Sequence, residues 1–302
     1  MAIDIKLVKQ LRDMTQAGVT DAMKALNENN GNIDKAVQWL REKGIAKAAK
    51  KAGNIAAEGI ATVLIKEDAA VIIELNCETD FVATNEGFLN LIDMIALTLI
   101  ESGENDIEKA LKLKLSNKMT IEQACTDLTA KIGEKIALRR YEIVGKKKNQ
   151  SFASYQHTNK RIAVLLTTDK SVDPVVAKDI AMHAAAMAPK YLNSDQVDKK
   201  WLDSETKIIK EQMASDPKFS AMFKDSKMEG RVTGIISGKI NKLLSEVTLE
   251  AQPFVKDPSK TVKQYVNAAG ADVIKYVRYQ VGEGIEKKVV DFAAEVAAQM
   301  KK

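Results

Sequence analysis

The chain is poor in the residues on which most catalytic and metal chemistry depends. It has two histidines and two cysteines in 302 residues. Cys77 and Cys125 lie far apart and make no Cys-x-x-Cys pair, which excludes a disulfide framework and a four-cysteine zinc site and suits a reducing compartment. A His-rich metal site is excluded in the same way, and a Ser-His-Asp arrangement would have to use His157 or His183. No stretch approaches the roughly 18 apolar residues of a membrane span. Met1 to Asp13 mixes acidic and basic side chains at helical spacing, with no apolar signal-peptide core. Secretion and membrane insertion are not expected, and a cytoplasmic location is. Charge of one sign is lacking too. The 46 basic residues face 41 acidic ones, and the net +5 builds no field that demands a nucleic-acid partner.

What is present is enough apolar material for a core. With 45% hydrophobic and 29% charged residues, the chain reads as globular and divides into about two domains with smaller appendages. Three short helical patterns come first. Leu7, Val8, Leu11 and Met14 share one face; Val19, Ala22, Met23 and Leu26 form a second stripe, ended by Gly31. Asn32 is placed to cap a third helix with Ile33, Ala36, Val37 and Leu40 inward and Gly44 closing it. Three helices of this size bury little surface and suit a docking module. Their arrangement resembles a ubiquitin-associated domain, assigned to residues 1–46. The basic stretch Lys47-Ala-Ala-Lys-Lys-Ala-Gly53 opens a linker over 47–59. Lysines without interleaved aromatics make weak phosphate contacts, so a solvated linker or helix end is the plainer reading than an RNA-binding arm.

From Ile60 the period becomes alternating. Ala61 to Lys66, a turn at Glu67-Asp68 and Ala70 to Cys77 predict a hairpin, followed by an apolar helix over Phe88 to Ile100. The order returns with strands around Phe152 to Tyr155 and Ile162 to Thr167 and a helix starting near Pro174. This suggests a duplicated α+β core with antiparallel sheets, its halves spanning 60–148 and 149–285. A charged helical hairpin is inserted at about 194–246, interrupted at Asp216-Pro217 and resuming from Phe219 to Glu246. Strands return around Val273 to Val281. A C-terminal helical module over 286–302 closes the chain, with Phe292, Val296 and Met300 on one side.

The remaining chemical signals are weak. His183 shares a helical face with Ile180, Ala184 and Met187, as a packed core or rim histidine would. His157 sits in a hairpin turn, where a contact role and a plain turn residue are equally open. Gly282-Glu-Gly284 misses a dinucleotide fingerprint because Lys287 stands at the third glycine position. Gly234-Ile-Ile-Ser-Gly238-Lys239 misses the phosphate loop by spacing. No enzyme activity, cofactor or metal is expected. The informative stretch is Glu74-Leu-Asn-Cys-Glu-Thr-Asp-Phe-Val82. Strict alternation puts Phe81 on the core face with Ile73, Leu75 and Cys77. The polar trio Glu78, Thr79 and Asp80, however, suits an aromatic presented from the sheet edge to wedge into a partner.

Asn76-Cys-Glu-Thr-Asp-Phe-Val-Ala83 resembles the Thr-Asp-Phe-Val motif of the bacterial elongation factor Ts family. Lys47 to Gly53, Lys131-Ile-Gly-Glu134, Ser154-Tyr-Gln-His157, Gln252-Pro-Phe-Val255 and Val281-Gly-Glu-Gly-Ile-Glu286 resemble further family segments, in the family's order. The resemblance implies a guanine-nucleotide exchange factor acting in translation elongation. Its partner would be elongation factor Tu, in GDP-bound and nucleotide-free forms, with no nucleotide bound by the chain itself and no bond made or broken. It implies Asp80 and Phe81 as an intruding pair flanked by Thr79 and Val82. Arg12, Ile132, Gly133, His157, Val255 and Met300 are carried over as further contact positions. The chain departs from the family pattern at Gln16, which replaces a glycine of the Thr-Gly-Ala-Gly turn, and at Val19, Thr20 and Met23, where some members carry a methionine pair and a lysine. An alternative from another class is an RNA-associated or ubiquitin-like-binding adaptor built on the small bundle, the basic linker and the helical hairpin.

Overall fold

Helices α1 (Ile5–Thr15), α2 (Val19–Glu28) and α3 (Ile33–Lys51) form a three-helix unit in the computed structural model, which describes residues 4–15 and 17–286. The side chain of Asn32 accepts from Lys35 N–H at 3.0 Å and starts α3, as its position predicts. The core of this unit is Val8, Leu11, Ala22, Ala25, Leu26 and Ala36. Two expectations are corrected here. Val19 and Met23 lie outward, 47% and 45% exposed, and Ala25 takes the inner position because the tight junction of three helices admits small side chains there. Nor does Gly44 close α3. The helix runs through it to Lys51, and a Cβ at Gly44 would stand 3.0 Å from the Cβ of Ala130, so the bare backbone lets α3 approach the body of the protein.

Strands β1 (Glu58–Lys66) and β2 (Ala69–Cys77) pair antiparallel across the two-residue turn Glu67-Asp68, with Glu67 at φ 51°. They lead to α4 (Asp80–Ala83), α5 (Glu86–Ser102), α6 (Ile107–Ala110), α7 (Ile121–Ile132) and β3 (Ala137–Gly145). The second half holds β4 (Ser151–Gln156), β5 (Ile162–Thr168) and α8 (Pro174–Met187). The inserted helices follow: α9 (Lys199–Ser215), α10 (Pro217–Lys224) and α11 (Glu229–Val247). The chain returns through β6 (Pro253–Phe254), β7 (Asp257–Thr261), α12 (Val262–Ala268) and β8 (Val273–Gln280). The return limb expected as one helix from Phe219 is divided. Asp216 caps α10 by accepting from Lys218 N–H, and α10 packs Phe219 and Met222 against Met213 of α9 and Val232 of α11.

The strands form two antiparallel sheets in the orders β1-β2-β3 and β4-β5-β8, with β6 and β7 as a separate ribbon. Central strands β2 and β5 are buried on both faces, which is why they read as continuous apolar runs. Val71, Ile73, Leu75 and Cys77 of β2 face α5 and α7, while Ala70 and Ile72 face Ala163 and Leu165 of β5 in the layer between the sheets. On the far side Val164 and Leu166 pack on Ile180, Ala181 and Ala184 of α8. The order is helices, sheet, sheet, helices, an α+β architecture whose edges and strand ends carry the exposed turns. No helix among the described residues is long and apolar enough to cross a membrane.

Candidate protein-docking site

The Phe81 turn is built from the end of β2. Cys77 is buried, its thiol donates to Thr79 O at 3.1 Å, and burial pushes its pKa up to about 12. Thr79 is extended (φ −125°, ψ 157°) and opens the single turn of α4. A threonine here would ordinarily cap the helix with its own oxygen. Instead its hydroxyl donates to Glu134 Oε1 at 2.7 Å and its N–H to Glu134 Oε2 at 2.9 Å, so one carboxylate grips both. Glu134 is delivered by Gly133, which ends α7 in the left-handed region at φ 87°, a conformation a side chain would strain. Glu78, next to Thr79, accepts from Asn54 Nδ2 at 2.9 Å and from Lys135 N at 2.7 Å. Lys135 Nζ reaches Ala52 O and Asn54 O, tying the exit of α3 to the same place.

The core placement that strict alternation predicts for Phe81 is overturned. Val82 turns into the core at 7% exposure, whereas Phe81 points away and is 83% exposed. Both the N–H and the hydroxyl of Thr84 bond to Phe81 O, at 3.2 and 2.8 Å, so the backbone beneath the aromatic ring is held on both sides. Strict alternation fails because β2 stops at Cys77 and the helical turn reverses which side chain faces inward. Burying a phenylalanine side chain is worth about 1.5–3 kcal/mol. The fold itself does not realise that gain at Phe81.

Thr79, Asp80, Phe81 and Val82 are thus brought together with Ile132 and Gly133 through Glu134. Asp80 is exposed beside Phe81, Ile132 packs at the rim of the core, and Val82 anchors the turn from within. The other expected positions that the structure describes lie apart from this turn. Arg12 is exposed at the end of α1, where its Nε donates to Ala17 O at 3.2 Å, and the outward Met14, Val19 and Met23 belong to the same unit. His157 is exposed in the β4–β5 turn with Tyr155 Oη 3.0 Å from its Nδ1. Val255, 52% exposed, sits in the β6–β7 turn. Met300 and the closing helix expected around it, like Gln16, lie outside the described residues.

Pattern reading did not assign roles to Glu74, Glu78, Glu134, Arg139 or Arg140. Glu74 is fully buried; its Oε1 accepts from Arg139 Nη1 and Gly282 N–H, each at 2.9 Å, and its Oε2 from Arg140 Nε at 2.6 Å. The near-miss glycine motif is therefore a turn docked on a buried carboxylate. The available signal was Glu74 itself, a charged residue inside an apolar strand run, which demands partners. His183, read as packed, is fully buried. Among the described residues, no group of three or more His, Cys, Asp and Glu could hold a metal ion.

Phe81 held outward on a braced turn, with Arg12, His157 and Val255 exposed elsewhere on the surface, gives this α+β chain a candidate protein-docking surface. The chain belongs to the elongation factor Ts family. The family model for elongation factor Ts matches residues 78–283. The chain is 48% identical over 302 residues to elongation factor Ts of Acholeplasma laidlawii (strain PG-8A), covering all of both sequences. It is 45% identical over 303 aligned residues to that of Malacoplasma penetrans (strain HF-2), again over the whole of each.

Proposed function

We propose that this chain is a guanine-nucleotide exchange factor for elongation factor Tu: Asp80 and Phe81 push between helices of the GTPase and so disturb the site that holds magnesium and phosphate, which releases GDP and allows GTP reloading. The observation that carries the reading is the exposed Phe81 ring on a turn braced by Glu134 and rooted by Val82. Exchange of this kind is reciprocal linkage. Whatever factor the bound chain loses when nucleotide enters is the factor by which it loosens the nucleotide. Taking retention from nanomolar to micromolar requires about 4 kcal/mol of coupling, within reach of one buried aromatic plus several docking patches.

In this reading the ubiquitin-associated-like bundle of residues 1–46, with Arg12, docks one patch of the GTPase. The two halves of the core (60–148 and 149–285) contribute Thr79 to Val82, Ile132, Gly133, His157 and Val255, and the terminal module (286–302) contributes Met300. The inserted helices form a projecting coiled coil. The chain engages GDP-bound and nucleotide-free partner in the cytoplasm, binds no nucleotide itself and needs no nucleic acid. The test is release of a fluorescent GDP analogue from purified elongation factor Tu under excess unlabelled GDP, with substoichiometric chain. Wild type should accelerate release with repeated turnover, and Phe81→Ala should slow exchange far more than it weakens encounter. Equal losses in both would remove the wedge, and an inactive wild type would remove the exchange reading.

A further inference from the structure

The turn that carries Val255 is held from below by a buried histidine. The Val255 N–H donates to His183 Nδ1 at 3.2 Å. A backbone N–H can only donate, so Nδ1 accepts and the ring proton sits on Nε2, which lies 2.9 Å from Gln252 Oε1. Gln252 is buried, and its orientation is fixed in turn because its amide nitrogen donates to Glu246 O at 2.9 Å, in the last turn of α11. Every donor in this chain of bonds meets one acceptor in the neutral ring, and a second ring proton would set Nδ1–H against the Val255 N–H. A second tether lies one helical turn earlier on α8. Asp179 accepts from Lys256 Nζ at 2.6 Å, the residue beside Val255, and from Tyr265 Oη of α12 at 3.4 Å.

We infer that His183 is a positioning residue for the partner contact at Val255: its neutral imidazole holds the β6–β7 turn at the angle from which Val255 meets the partner. The inference rests on the exchange reading and adds a residue that touches no partner. The neighbouring ionisable groups make their own bonds. Asp179 of α8 is closed by Lys256 of the ribbon, and Asp257 by Lys260. The Tyr155 hydroxyl bonds His157, and that of Tyr276 bonds Pro189 O.

The experiment compares GDP release from elongation factor Tu driven by wild type, Val255→Ala, His183→Asn, His183→Gln and the His183→Gln/Val255→Ala double variant, each checked for folding by circular dichroism. Asparagine places an amide oxygen near the position of Nδ1 and keeps an acceptor for Val255. Glutamine places an amide nitrogen near Nε2, keeps the Gln252 bond and strands the Val255 N–H. Val255→Ala and His183→Gln should each raise the half-saturating concentration about fivefold. His183→Asn should stay near wild type, and the double variant should fall no further than either single one. A silent Val255→Ala, a wild-type-like His183→Gln, equal losses in both histidine variants or multiplying losses in the double variant each overturn the inference. A wild type without activity removes the exchange reading on which it stands. Should His183→Gln not fold, imidazole nitrogen shifts of the wild type decide, since the chain has only two histidines. A neutral Nε2–H ring at His183 with a Val255 amide protected from hydrogen exchange is the expected result; an Nδ1–H ring or an unprotected amide overturns it.

Discussion

Replacing Glu134 tests whether the Phe81 turn is preorganised. In the native chain the two carboxylate oxygens of Glu134 hold the hydroxyl and the N–H of Thr79 at 2.7 and 2.9 Å. Hydrogen bonds to a charged group contribute about 1.5–3 kcal/mol each. Thr79 is only half-buried, however, so water replaces part of what Glu134→Ala removes, and about 2 kcal/mol for the pair is the appropriate scale. If all of it goes into populating an open turn, the fraction of chains presenting Phe81 falls by at most about thirtyfold, and apparent affinity for the partner falls with it. Glu134→Gln keeps one oxygen for the backbone N–H and should lose only a few-fold. Fluorescent GDP release, titrated in each variant beside a thermal melt, gives the numbers. The reasoning is refuted if folded Glu134→Ala exchanges like wild type. It is equally refuted if the loss persists in a Phe81→Ala background, because a brace acting through Phe81 has nothing left to position there.

Phe81 and Phe88 should separate function from stability. Phe88 is fully buried and Phe81 exposed, so Phe88→Ala should cost about 3–5 kcal/mol in a denaturant titration, while Phe81→Ala should change stability by under about 0.5 kcal/mol. Burial pushes the thiols of Cys77 and Cys125 up to about 12 from 9.0, leaving each about a thousandfold poorer in thiolate. A thiol reagent at pH 8 should therefore label neither cysteine until the chain unfolds, and Glu134→Ala should expose Cys77 first, because its thiol bonds Thr79 O. Burial lowers the His183 pKa from 6.5, with the Gln252 bond opposing it. The unfolded chain thus binds this proton more readily, so its contribution is intact above about pH 6.5 and is lost as pH falls below that value toward the folded pKa. The thermal midpoint of the wild type should drop between pH 7 and 5, and His183→Asn should flatten that slope.

The sequence by itself determined the local structure and the family. Short apolar runs broken by polar turns over Ala61 to Cys77 and Phe152 to Thr167 wrote both hairpins, Asn32 wrote its cap, and the ordered motifs from Lys47 to Glu286 carried the kinship, because each depends on neighbours within a few residues. Tertiary structure decided what those neighbours cannot. Phe81 faces outward because Glu134, brought back by α7 across the sheet, converts the end of β2 into a helical turn. Gly44 continues its helix because Ala130 lies against it. Glu74 survives inside an apolar strand because Arg139, Arg140 and Gly282 converge on it from distant positions. A pattern in sequence reports the period of the backbone; partners separated by tens to hundreds of residues are chosen by packing, and these fix the direction of a side chain and the state of a buried charge.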